Sequence, residues 1–296
     1  MARPAGPEVR DERARRAGGA GVIPPARKGA PAPGAWLDAA RRARLSVLPA
    51  LAVILCLLGA WELYVDLGGV DPLVLPAPHA VLASLYDDRA LLWSNFLVTA
   101  REIALGIVAA MAAGLAMAVV IHFSPTLRRA LYPLLVASQA VPVPMLAPVL
   151  ALWLGFGILP KVVVIALVSF FPVVVTTLAG FAAVDPELLR LMRTLDAGRL
   201  ETFRRVELPA ALPSVVTGTK IAIVVAVIGA VFAEWMSASS GLGYLFEQSI
   251  AQLLPARAFA TTAVLCALSI GLFTLMTVAE RRLLPWANQP KSEGDR

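Results

Sequence analysis

Cysteine and histidine are nearly missing from this chain, two of each among 296 residues. Cys56 and Cys266 sit inside long apolar stretches, where a thiol behaves as a small hydrophobe, so no disulfide framework is implied. His79 and His122 stand far apart in sequence, without cysteine or carboxylate companions at metal-ligand spacing. That argues against a metal centre and for capping or interfacial histidines. No glycine-rich loop ends in Gly-Lys-Ser or Gly-Lys-Thr, so the chain lacks a segment for cradling nucleotide phosphates. Nor does any Ser-His or His-carboxylate grouping pair a nucleophile with a base, which counts against a membrane-embedded enzyme. Charge is scarce too, at 16% of residues against 58% hydrophobic, far more apolar than a soluble domain of this length needs.

What charge there is totals +6, but the arginines cluster beside apolar runs and aromatic residues are not interleaved with them. Membrane orientation therefore explains the basic excess better than nucleic acid does. Residues 1–40 are rich in Ala, Pro, Gly and Arg with few large apolar side chains. Such a composition cannot bury enough surface to offset chain entropy, so a disordered cytoplasmic tail is expected there, and another at 291–296. The first tail does not read as a cleaved signal, because its charges run long before the apolar segment at Leu45 and no small-residue cleavage pattern follows.

Between the tails, residues 41–290 read as an all-α membrane domain, a six-helix transmembrane bundle. Crossing the hydrocarbon core takes about 20 apolar residues. Six segments approach that length, near 45–65, 102–121, 130–154, 162–184, 213–235 and 258–279. An even number puts both termini on one side. With the N-terminus inside, Arg41, Arg42, Arg44, Arg128, Arg129, Arg190, Arg193, Arg199, Arg204, Arg205, Arg281 and Arg282 all fall inside. Only Arg89, Arg101, Lys161 and Arg257 fall outside, so both termini are expected in the cytoplasm. Segment 67–101, broken by Pro72, Pro76 and Pro78, would face outward, with Leu82, Leu85 and Tyr86 on a short interfacial helix.

Within the second span Gly106, Ala110, Gly114 and Ala118 recur every four residues, a ridge that admits another helix closely. The third contains Pro133, Pro142, Pro144 and Pro148, which free backbone carbonyls at bilayer depth. Irregular backbone there is tolerated against protein or a water-filled cavity. Ser138, Gln139 and Pro142 therefore read either as pathway lining or as a kinked packing helix. Glu234 beside Trp235 near the outer end of span five is a functional candidate because ionisable groups in membranes are costly. The alternative for Glu234 is contact with interfacial water or a neighbouring arginine. Lys220 can snorkel toward headgroups, and Ser169, Thr176 and Thr177 can hydrogen-bond between helices unless solute claims them.

The long inside loop 185–213 reads "DPELLRLMRTLDAGRLETFRRVELPAALP". Leu188, Leu191, Met192 and Leu195 recur at helical spacing, Pro186 suits a first helical turn, and Glu187 suits the positive end of the dipole. A turn-forming point follows at Asp196-Ala197-Gly198, and Phe203 and Val206 lead into Leu208-Pro209. The expectation is helix, bend, helix, with knobs projecting into the cytosol.

This loop resembles the EAA loop of ABC importer permeases, a pattern of glycine, nine residues, an aliphatic residue, any residue, then Leu-Pro. Val206, Leu208 and Pro209 match its end; Asp196 stands where the glycine belongs, and Arg190, Leu191 and Met192 replace Glu-Ala-Ala. Gly198, two positions on, is then the expected source of flexibility. The likeness runs from about Val98 to Trp286. It is similar to the branch serving nitrate, sulfonate and taurine, through Thr99 and Arg101, "WLGFGILPK" at 153–161, "AEW" at 233–235 and Gly241-Leu242-Gly243. Within it, "SQAVPVPMLAP" and "IGAVFAEWMSASSGLGYL" look most like permeases for thiamine pyrimidine precursors.

The resemblance implies a type I importer permease working as two copies, with cytoplasmic ABC ATPase subunits that bind ATP and Mg and an extracytoplasmic solute-binding protein. It implies no cofactor on this chain. Leu188, Leu191, Met192, Leu195, Asp196, Ala197, Gly198, Phe203 and Pro209 would couple to the ATPase. Ser138, Gln139, Pro142, Thr176, Glu234 and Trp235 would line the pathway. A secondary transporter, the main rival, often shows internal repeats and paired intramembrane charges, and neither is visible in the sequence.

Overall fold

The computed structural model describes residues 35–237 and 239–288; both expected tails lie largely outside that range. Among the described residues every regular element is helical. The chain divides into two contact units, one ending at Leu57 and one from Leu58 onward. Helix α1 runs Ala35–Gly68 with Pro49 inside it. The remaining helices are α2 Pro78–Asp87, α3 Arg89–Phe123, α4 Pro125–Ser138, α5 Val143–Leu154, α6 Ile158–Ala182, α7 Pro186–Thr194, α8 Arg199–Thr202, α9 Leu208–Ser237, α10 Leu242–Ala251 and α11 Pro255–Leu283.

Among the described residues five helical runs are long and apolar enough to cross a membrane: Leu51–Gly68, Arg89–Phe123, Ile158–Ala182, Arg199–Trp235 and Pro255–Leu283. At 1.5 Å per residue the 25-residue α6 is about 38 Å long, beyond the roughly 30 Å hydrocarbon core, and the 18-residue run Leu51–Gly68 is about 27 Å, close to it. The third expected span, 130–154, is not one helix. It stops at Ser138, turns through Gln139-Ala140-Val141-Pro142 and restarts as α5, leaving two pieces each too short to cross alone. Pro142 drives the break, because a residue preceding proline is pushed out of the helical region and proline has no N–H to continue the ladder. Pro144 and Pro148 do no such damage, since Pro144 occupies α5's first turn and α5 absorbs Pro148.

The core is the stack of α3, α6 and α9. On α3 the ridge Gly106, Ala110, Gly114, Ala118 is buried. A Cβ on Gly106 would overlap the Ile165 side chain, and one on Gly114 would sit 2.9 Å from Val173 Cγ1. Small residues thus let α3 and α6 approach to backbone range, the packing that works where lipid removes the hydrophobic drive between helices. Large apolar side chains point outward instead, with Leu152 and Trp153 each 77% exposed. In water that surface would be a liability; against lipid it is the expected face. The short interfacial helix expected from Leu82, Leu85 and Tyr86 is α2, with Val81 buried and Leu82 and Tyr86 exposed.

Candidate functional site

At one end of the bundle α6 gives way to an elbow. Asp185 caps α7 by accepting a hydrogen bond from the Glu187 N–H at 2.8 Å, and Pro186 takes the first turn, as the sequence implies. The helix ends in a six-to-one and five-to-two pair of bonds: Ala197 N–H donates to Met192 O at 3.0 Å and Asp196 N–H to Arg193 O at 3.1 Å. This Schellman arrangement demands a left-handed residue after the cap. Asp196 supplies it, with φ +55°. Gly198 is extended, with φ −64° and ψ 159°, so the bend lies on the aspartate and not on the glycine two positions later. Aspartate tolerates this conformation better than most side chains.

Past the bend, α8 continues through a π-turn, Phe203–Glu207, into α9, with Leu208 N–H donating five residues back to Phe203 O. Pro209 explains the wider turn. It has no N–H for the Arg205 carbonyl, and its ring crowds that carbonyl, so the helix loosens just ahead of it. Leu188, Leu191 and Leu195 are about half exposed or more, and Met192 is half-buried. Ala197 and Pro209 are also half-buried. Phe203 does not project with them. It is 7% exposed, packed among Phe123, Phe181 and the His122 ring, and so anchors the elbow to the bundle. The same joint is tied by His122 Nε2 to Glu207 Oε2 at 2.7 Å and by the Arg199 guanidinium donating to Phe123 O at 2.8 Å.

Near the far end of α3 lies a buried polar network. Asn95, Thr99 and Glu102 occupy one face of α3, four and then three residues apart. Glu234 on α9 is fully buried; its carboxylate accepts from Thr99 Oγ1 at 2.6 Å and from the Gly243 N–H at 2.6 Å. Thr99 Oγ1 in turn accepts from the Leu242 N–H at 2.8 Å, and Asn95 Oδ1 accepts from the Gly241 N–H at 2.7 Å. Three successive backbone donors at the start of α10 are thus held by side chains from two other helices. Gly241 has φ +120°, and any Cβ there would overlap the Glu234 carboxylate. Only glycine fits on both counts.

Lys161, counted in the sequence among the charges of the outside segments, is 6% exposed and pairs with Glu102 Oε1 at 2.5 Å. Lys220 does not merely snorkel; it pairs with Glu280 on α11 at 2.5 Å. Neither partner is close in sequence, so spacing alone could not reveal them. Thr99, Lys161, Glu234 and Gly241-Leu242-Gly243, scattered over most of the chain, are brought together here.

The expected pathway residues do not form one group. Ser138 and Gln139 line a cavity of about 470 Å³ with Met117, Leu131, Phe170 and Val225, formed where α4 breaks. Pro142 makes the break itself. Thr176 donates to Pro172 O at 2.8 Å and lies against Gly218, a contact between α6 and α9 outside that cavity. Glu234 faces neither interfacial water nor an arginine, and Trp235 is half-buried beside Phe232 and Phe246.

On the side away from the elbow, Asp88 accepts two hydrogen bonds from the Arg257 guanidinium, at 2.8 and 3.0 Å, and one from Ser84 Oγ at 2.8 Å. The Arg257 hydrogen bonds hold its carboxyl below the usual range. His79 does have carboxylate companions, brought close by folding: its Nδ1 is 2.5 Å from Glu62 Oε1, and Asp66 completes a group within 4.8 Å. The Glu62 hydrogen bond raises the His79 pKa above 6.5.

Residues 103–285 match the family described as "Binding-protein-dependent transport system inner membrane component". A "Probable ABC transporter permease protein" of Haemophilus influenzae is 36% identical over 230 residues, 78% of this chain and 94% of that one. The "Formylaminopyrimidine transport permease protein ThiX" of Halalkalibacterium halodurans is 35% identical over 233 residues, 78% of this chain and 93% of that one. Among solved structures, an inward-facing form of the MetNI methionine ABC transporter superposes with a TM-score of 0.58 at 19% identity, covering 69% of this chain and 99% of that one.

Proposed function

The chain belongs to the family of binding-protein-dependent transport system inner membrane components, and from that premise we propose how this ABC importer permease works and what it carries. It is a multi-pass protein of the cytoplasmic membrane. In our reading α4 and α5 together supply a sixth crossing around the proline break, which puts both termini in the cytoplasm in keeping with the arginine distribution. Two copies form the pathway, and an external solute-binding protein delivers cargo. Partner ATPase subunits bind ATP and Mg and supply the energy, with no cofactor on this chain.

One observation carries the coupling role. Helix α7 presents Leu188, Leu191 and Leu195 to solvent at the tip of an elbow that Phe203, His122–Glu207 and Arg199 clamp to α3. Apolar knobs on a rigid mount suit insertion into a partner's cleft, and movement of the knobs would tilt α3 and α9 together. Replacing Leu191, Met192 and Leu195 with aspartate should abolish copurification of the ATPase while membrane insertion stays intact. ATPase recovered at normal levels would refute it.

The cargo in this reading is a pyrimidine precursor of thiamine, supported by the likeness to a formylaminopyrimidine permease. Sulfonates, taurine or nitrate are the alternative. Ser138 and Gln139, in the cavity at the break, are the side chains for solute to meet. Uptake of labelled aminopyrimidine against labelled taurine, in cells with and without the chain, separates the two.

A further inference from the structure

A second groove lies between the start of α4 and the end of α6, on the elbow side of the bundle. Its walls are apolar, from Val175, Ala179 and Ala182, and its volume is about 650 Å³. Arg128, Arg129 and Tyr132, all exposed, line it as well. Among the described residues neither guanidinium has an ion-pair or hydrogen-bond partner.

These arginines have no counter-charge on their own helix. They stand four and five residues past the N-cap Ser124, and α4 has no acidic residue in its first turn. Adjacent guanidiniums repel each other, so an anion held between them would relieve that repulsion. The nearest acidic residue in sequence beyond Ala182, Asp185, already spends its carboxylate capping α7. The two guanidiniums offer charge for an anion, and the apolar walls beside them offer a slot for hydrocarbon.

We propose that this groove binds an anionic phospholipid, the phosphate held by Arg128 and Arg129 and an acyl chain lying along Val175, Ala179 and Ala182. Basic pockets between membrane helices recognise such lipids by this combination of charge and apolar wall. The site adjoins the α6–α7 junction, so a bound lipid would brace the mount of the elbow. The assignment to the inner leaflet rests on the orientation given above; the binding itself does not.

The test is native mass spectrometry of the full-length chain, titrated with dioleoyl phosphatidylglycerol, dioleoyl phosphatidylcholine or inorganic phosphate. Phosphatidylglycerol should bind in preference. Arg128→Gln with Arg129→Gln should weaken it roughly thirtyfold, from the ordinary attraction of two basic side chains to an anionic headgroup. Arg128→Lys with Arg129→Lys should keep most of the affinity, and Ala179→Phe, which fills the slot without touching charge, should lower it. Equal binding of the two lipids, an unaffected double glutamine variant, or displacement of the lipid by matched inorganic phosphate would each overturn the proposal. Transport is not read in this experiment. Failure of the permease reading, seen as absent ATP-driven uptake in vesicles of any lipid, is therefore distinguishable from failure of the lipid site.

Discussion

Replacing Glu234 with alanine removes a fully buried carboxylate that two donors depend on, Thr99 Oγ1 and the Gly243 N–H, each at 2.6 Å. Water cannot readily reach either donor, so both keep their desolvation cost and lose their partner. Stranding two buried neutral donors costs about 1–3 kcal/mol each, so about 2–6 kcal/mol together. For a chain of this size that lowers the unfolding midpoint by roughly 4–24 °C. Glu234→Gln should fall between, because one oxygen still accepts while the amide presents a donor to a second donor; about 1–2 kcal/mol is expected. The assay is thermal unfolding of the detergent-purified protein by tryptophan fluorescence, paired with uptake kinetics. Gly241→Ala, which forces a methyl into the same carboxylate, should match the alanine variant. If Glu234→Ala unfolds at the wild-type temperature yet alters the KM for solute, the carboxylate is a pathway group and its structural role in the buried network is refuted.

Two further perturbations follow from the geometry. Asp196→Gly should preserve the elbow and stabilise it by up to about 1 kcal/mol, whereas Asp196→Val should strain the left-handed position by about 1–2 kcal/mol and weaken ATPase copurification; identical behaviour of the two would refute the Schellman assignment. The two clasps on the other side should respond oppositely to pH. The Asp88 carboxyl has a lowered pKa, so its stabilisation is present above its ordinary value near 3.8 and is lost as pH falls through the depressed folded value. His79 has a raised pKa, so its contribution is full below 6.5 and is lost as pH rises through the higher folded value. Unfolding midpoints of Asp88→Asn and Glu62→Gln measured across pH should each lose only their own dependence, the acid one and the neutral one.

The helical class, most span positions and the helix-bend-helix of the elbow were legible because each rests on local signals. Uncharged runs, small residues every four positions and a capping Asp-Pro all act within a few turns of helix. Distant pairs were not legible. Glu102 and Lys161 are 59 residues apart and Thr99 and Glu234 are 135 apart, and nothing local marks them as partners. Phe203, grouped with the coupling residues by resemblance, packs into the bundle against Phe123 and Phe181, partners distant in sequence. At Asp196 the bend was expected from Gly198, because glycine is the habitual left-handed residue and one lay two positions on.

These misreadings converge on how motion could travel. Along α3 the buried face is polar at one end and ringed by small residues below, closing at His122 beside the elbow. The polar end is fastened to α9 and α10 by hydrogen bonds, and the lower end to the π-turn that runs into α9, through Glu207 and Phe203. A helix gripped at both ends by the same neighbour has little freedom to slide against it. Displacement of α7 by a partner should therefore move α3 and α9 as one body, and the compliance must lie elsewhere. The proline break between α4 and α5, whose turn borders the cavity with Ser138 and Gln139, is where the backbone ladder is already open. Bending there, while the α3–α9 body stays rigid, would change the cavity without breaking the buried hydrogen bonds.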